Sequence, residues 1–296
     1  MNTSLVEQFA ELKSSEKAQE FYDKVSNIIS CALTDIAEEL NLNERNVRVF
    51  PVGEYTIDTY IDETGELEIV VANSDPQMLI ANKTYLKQMQ EAKTKKERKM
   101  LSTKGTTEEL INKLFKALLN YFEPETTLIL APEGIKILCK KEYDFNAIVR
   151  IGTFDQLDKD VILNFWNIIT KQEYAFDMFG YNEALEKKDK KSKGNLKKTI
   201  RVLKNLRKTM LINKWITSSQ MNRYFVELLA YNIPDQLLKG ADFVQVYTKA
   251  MLYLSNCDLQ SYVDMQDNLL IRNRLASTDY HKIKRFLALA NQILDD

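Results

Sequence analysis

The chain has 296 residues, 45% of them hydrophobic and 28% charged, the balance of a folded globular protein rather than a disordered one. Its 8 glycines and 5 prolines leave too few turn formers for a sandwich or barrel and favour long helices. The formal charge of −1 conceals an asymmetry, because residues 187–208 hold eleven Lys and Arg against one Asp, a local +10 in a chain whose remainder is −11.

The three cysteines, Cys31, Cys139 and Cys257, are far apart in apolar surroundings, read as core residues, and exclude a disulfide framework or a CxxC metal knuckle. His281 is the lone histidine, which leaves a His-based zinc site or a Ser-His-Asp triad without its residues. The first twenty residues lack the basic and apolar regions of a signal peptide, and no later stretch reaches 18 apolar residues, so a cytoplasmic protein with no membrane contact is expected.

In chain order, residues 5–40 read as helix through Leu5, Phe9, Leu12, Phe21, Val25, Ile29, Leu33, Ile36 and Leu40. Branched and aromatic runs predict strands at 47–52, 56–61 and 66–72, with a turn at 62–65. Residues 83–122 return to helical spacing around a charged, solvated stretch at 93–99. Two further strand regions follow at 127–140, turning at Pro132-Glu133-Gly134, and at 143–151. From Val161 the pattern is helical almost to the end, interrupted near 187–194, at Pro234 and at Gly240. The expected fold is α+β: a mixed-sheet domain with N-terminal helices over 1–160, and an all-helical domain over 161–296.

Strand periodicity puts Glu66 and Glu68 side by side on one face, where paired carboxylates hold divalent metal or simply form a solvated edge. Gly53 upstream permits a tight turn that brings backbone N–H groups to a phosphate. Asp144 and Asn146 share one face of a later strand and offer a third acceptor. Together these are the parts of a metal-dependent triphosphate site.

On these residues the chain resembles the nucleotidyltransferases of the DNA polymerase beta superfamily. Within it, the resemblance is to the bacterial cyclic oligonucleotide synthases (CD-NTases) related to the animal sensor that makes cyclic GMP-AMP. The motifs are Gly53 with Thr59 six residues on, Glu66-Leu67-Glu68, Arg201-Val202-Leu203-Lys204, and Arg223-Tyr224-Phe225-Val226-Glu227-Leu228-Leu229. The resemblance implies a polymerase-beta-like nucleotidyltransferase domain, a helical lobe, and a nucleotide cleft between them. It implies nucleotide or phosphate contacts at Gly53, Glu54, Thr59, Arg201, Lys204 and Arg223. It places the family's carboxylates at Glu66, Glu68 and Asn146, metal ligands at Glu66, Glu68 and Asp144, and the protein in bacterial antiviral defence.

Four diagnostic positions depart from the family pattern. Glu54 stands for a serine at the phosphates, Glu-x-Glu for Asp-x-Asp, Asn146 for the third aspartate, and Arg223 for a nucleotide-facing serine. A carboxylate at 54 repels polyphosphate, and longer arms suit magnesium's strict geometry poorly. The expectation is therefore a catalytically impaired relative that binds a nucleotide, an RNA or a protein partner and needs no cofactor. The alternative is an active synthase using magnesium or manganese. In the basic segment, Lys197, Arg201, Lys204 and Lys208 fall on one helical face, which predicts a surface for anions that takes single-stranded RNA better than ATP. The competing reading is a solvated loop leading into a helix.

Overall fold

The structure, a computed structural model, describes residues 1–12, 16–61, 66–139, 146–154, 162–218, 220–258, 262–263 and 277–295. The chain folds into two compact units, one of Ser14–Thr56 and Asp62–Phe179, the other of Met1–Lys13, Ile57–Ile61 and Gly180–Asp296. This division replaces the single cut expected between residues 160 and 161: the first residues and a short internal segment belong with the C-terminal helices.

The helical unit contains α1 (Thr3–Ala10), and the sheet unit begins with α2 (Glu16–Leu40). Along α2, Phe21, Val25, Ile29, Ala32 and Ile36 are buried at steps of three and four, the spacing that turns one stripe inward. Next come β1 (Val47–Val52) and β2 (Glu66–Asn73), then α3 (Pro76–Glu91), α4 (Lys95–Lys99) and α5 (Thr107–Leu118). The carboxylate of Asp75 caps α3, with Pro76 in the first turn, and Thr94 with Glu97 forms a capping box for α4, so the stretch read as solvated carries a short helix.

Strands β3 (Thr126–Ala131), β4 (Gly134–Cys139), β5 (Asn146–Phe154), β6 (Leu163–Asn167) and β7 (Gln172–Phe176) complete a mixed sheet in the order β1-β2-β5-β4-β3, with β6 pairing β5 and β7 pairing β6. The pair β2–β5 is parallel; every other pair is antiparallel. Leu67, Ile69, Val71, Ala147, Val149 and Ile151 face one side and are buried, where α2 packs on β1 and β2, and α5 on β4 and β5. On the other side Val52, Val70, Ala72, Phe154, Leu163 and Phe165 form a second apolar cluster.

Four expectations change. Residues 56–61 form no strand: Gly53–Tyr55 is a 3-10 turn, and Ile57–Ile61 packs in the helical unit. The region after 161 is not helical at first, because the Asn167 side chain accepts the N–H groups of Ile169 and Thr170 and, with Lys171 at φ 57°, closes the β6–β7 hairpin. Cys31 is exposed and Cys139 and Cys257 are half-buried, so none of the three cysteines is a fully buried core residue. Residues 187–208 are mostly helical rather than a loop: they lie on α6 (Met178–Lys191) and α7 (Asn195–Ile212), broken only by the turn at Ser192, Lys193 and Gly194 that the sequence places near 187–194. The turn at 62–65 and Asp144 lie outside the described residues.

In the helical unit α7 is central, packing against α1, α8 (Arg223–Tyr231), α9 (Phe243–Asn256) and α10 (Ser277–Asp295). Among the described residues no helix is long and apolar enough to cross a membrane.

Gly134 opens β4 at φ 154°, and a Cβ there would lie 2.2 Å from the Val149 carbonyl oxygen. Backbone cannot yield cheaply in the middle of a sheet, so Gly134→Ala is expected to destabilise the protein by at least ~2 kcal/mol in chemical denaturation.

Candidate functional site

Glu66 and Glu68 open β2 and share a face, with Leu67 turned into the core between them. Their register fixes their neighbours. Glu66 pairs with Asn146 on β5, and Glu68 pairs with Val52, the residue before Gly53. Gly53 sits at φ 69°, and a Cβ there would meet Glu68 Cδ at 3.2 Å, so the absence of a side chain lets the backbone lie against the carboxylate. The sheet unit thus brings together Gly53, Glu66, Glu68 and Asn146, all four read as site residues.

The sequence reading missed the cations on this face. Arg150 Nε donates to Glu68 Oε2 at 2.7 Å, and Arg150 Nη1 donates to the Tyr174 hydroxyl at 3.2 Å. Lys136 Nζ lies 3.5 Å from Glu66 Oε1 and 3.1 Å from Glu133 Oε1. Burial lowers the guanidinium pKa of Arg150, but the Glu68 charge, the Tyr174 oxygen and the hydrogen bonds to both together outweigh it, and the net shift is upward. Burial likewise opposes the charge on Lys136, and the neighbouring Glu66 and Glu133 again reverse the sign. The Tyr174 phenol is pushed up by burial in spite of Arg150. The signal for Arg150 lay in the sequence as a lone charge between Val149 and Ile151.

Glu66 and Glu68 retain side-chain exposures of 25% and 23%. Among the described residues no group of three or more His, Cys, Asp or Glu side chains is placed to hold a metal ion. The two carboxylates with the Asn146 amide nevertheless make an all-oxygen donor set, the chemistry of magnesium and manganese. The residues fit such an ion. Glu54 is buried in the 3-10 turn, 7% exposed, rather than presented to solvent.

A separate cluster lies inside the helical unit. Lys204, only 2% exposed, donates to the Thr59 carbonyl at 3.1 Å, to Thr59 Oγ1 at 3.0 Å and to Glu227 Oε1 at 2.5 Å, which matches all three ammonium hydrogens. Thr59 Oγ1 also donates to Glu227 Oε1, and the Tyr181 hydroxyl donates to Glu227 Oε2. Arg201 donates through Nε to the Ala10 carbonyl and through Nη1 to the Asp58 carbonyl, both at 2.7 Å, and burial depresses its pKa. Residues 57–61 lack a strand partner, so their carbonyls need donors from elsewhere, and α7 supplies them to Asp58 and Thr59.

The cationic stripe is therefore not a surface. Arg201 and Lys204 are buried and matched, and Lys197 pairs with Glu186 and Asp58. Of the four, Lys208 is half-buried, with contacts of its own. Arg223 occupies the first turn of α8 behind its cap, Asn222.

Comparison with known proteins agrees with this architecture. Residues 183–294 match the cGAS/DncV-like nucleotidyltransferase C-terminal helical domain. The CdnE cyclic dinucleotide synthase of Elizabethkingia meningoseptica, solved with GTP and Apcpp, superposes over 100% of both chains with a TM-score of 0.73 and 15% identity. The chain has the CD-NTase fold. The CdnE c-UMP-AMP synthase of Rhodothermus marinus shares that fold over 99% of this chain and 96% of its own, with a TM-score of 0.68 and 17% identity. In sequence, the cyclic nucleotide synthase CdnE01 of Staphylococcus haemolyticus is 27% identical over 128 residues, which is 43% of this chain and 39% of that relative.

Within this CD-NTase fold, removing one member of a buried ion pair strands the other. Lys204→Met and Glu227→Gln are each expected to cost ~3–5 kcal/mol in urea denaturation. The double variant should cost clearly less than the sum of the two, since the pair acts as a unit.

Proposed function

We propose that the chain is a metal-dependent nucleotidyltransferase that joins nucleoside triphosphates into a cyclic or linear oligonucleotide messenger, in the setting of bacterial antiviral defence. The observation that carries this reading is the meeting of Glu66 and Glu68 on one face of β2 with Gly53 against Glu68 and Asn146 opposite Glu66. Relatives named as cyclic nucleotide synthases support it over the catalytically impaired reading. Their names describe those proteins; the activity here is inferred from the shared fold and from this chain's own carboxylates.

A metal at this site would be held by Glu66 and Glu68 with the Asn146 amide, and would supply charge neutralisation on the triphosphate and on the attacking hydroxyl. In the transfer, a ribose hydroxyl oxygen bonds to the α-phosphorus of a second nucleotide, and the bond to pyrophosphate breaks. Asn146 cannot take the hydroxyl proton, so the proton goes to a carboxylate, for which Glu66, its register partner, is the candidate. Gly53 keeps the backbone after β1 free of a Cβ, the requirement for a phosphate to approach main-chain N–H groups. Lengthening Asp-x-Asp to Glu-x-Glu suits manganese, whose geometry is looser than that of magnesium.

Incubation with labelled ATP, GTP, CTP and UTP is expected to yield oligonucleotide and pyrophosphate, with more product in manganese than in magnesium. Glu66→Gln with Glu68→Gln should reduce the rate at least ~100-fold. Nucleotide binding without any product in either metal would contradict transfer and leave a binding protein.

A further inference from the structure

Glu68 holds a positive charge before any metal arrives. Arg150 Nε is 2.7 Å from Glu68 Oε2, and Tyr174 steadies the same guanidinium through Nη1 at 3.2 Å. The surroundings strengthen the pair: Val52 is opposite Glu68 in register, and Val70 is opposite Arg150. Both valines belong to the apolar cluster on that face, which lowers the local dielectric and raises the Coulomb term. Glu66 is held differently. Lys136 stands 3.5 Å from it and has Glu133 at 3.1 Å as another partner, so its grip on Glu66 is the weaker one.

We propose that Arg150 is the resident counter-ion of Glu68, which a divalent metal must displace, and that it thereby sets the metal concentration at which the carboxylate pair fills. The proposal rests on the reading of Glu66 and Glu68 as metal ligands. A guanidinium and a dication on one carboxylate repel each other, so the metal gains Glu68 only as Arg150 leaves it. Tyr174 gives the departing guanidinium a partner, which keeps the exchange local. Lys136 is expected to matter less, because its contact with Glu66 is long and its charge is shared with Glu133.

The test is a titration of the full chain with manganese alone, free ion being read by electron paramagnetic resonance, with no nucleotide present. Arg150→Gln is expected to tighten manganese binding roughly tenfold or more, Arg150→Lys by less because a point charge lacks the planar fork, and Lys136→Gln by about threefold at most. Thermal melts give a second readout: the manganese concentration at which the melting midpoint begins to rise should be lower in Arg150→Gln than in wild type. Equal or weaker manganese binding in Arg150→Gln overturns the proposal. Should that variant fail to fold, Arg150→Lys decides it, and binding no tighter than wild type overturns it. Glu66→Gln and Glu68→Gln separate the two ideas. Unchanged manganese binding in both would remove the metal site itself, whereas loss of binding there with no gain in Arg150→Gln removes only the role of Arg150.

Discussion

Because side chains alternate along a strand, slipping β2 by one residue against β5 would carry Glu66 and Glu68 into the core and turn Leu67 out onto the carboxylate face. The observed register is held from both sides, by antiparallel β1 and parallel β5, and by the apolar residues that bury beneath α2 and α5. Every feature of the carboxylate face follows from it. Asn146 falls opposite Glu66, Val52 delivers Gly53 to Glu68, and Arg150 arrives two residues beyond Ile148 within reach of the same carboxylate.

The helical unit solves a different problem. Residues 57–61 enter it without a strand to pair with, and their carbonyls are met by Arg201 and Lys204 instead. Taking an ammonium out of water carries a heavy desolvation cost unless its hydrogens are matched, and here Thr59 and Glu227 match them while Tyr181 supports Glu227. The charges on the inner face of α7 are thus used within the unit. A phosphate ligand at Lys204 would have to compete with a carboxylate already 2.5 Å away.

Much of this was legible in the sequence where the signal is local. Strands at 47–52, 66–72 and 127–140 showed in branched runs, the Pro132-Glu133-Gly134 turn showed in its residue types, and the alternation of Glu66, Leu67 and Glu68 gave the shared face. The failures are non-local. Thr59-Tyr60-Ile61 has strand composition, yet its partners are side chains about 140 residues away on α7. The spacing of Lys197, Arg201, Lys204 and Lys208 correctly defines one helical face, but periodicity does not say whether a charged face meets water or a buried carboxylate. Arg150 went unread as a site residue because its partner Glu68 belongs to another strand.

The central claim is that Glu66 and Glu68 form a metal site at the start of β2. Anomalous diffraction from crystals soaked with manganese and a non-hydrolysable nucleoside triphosphate tests it most directly. The account predicts a manganese peak within bonding distance of both carboxylates, with Arg150 withdrawn from Glu68. A triphosphate held with no metal at Glu66 and Glu68, and Arg150 still paired, would contradict it.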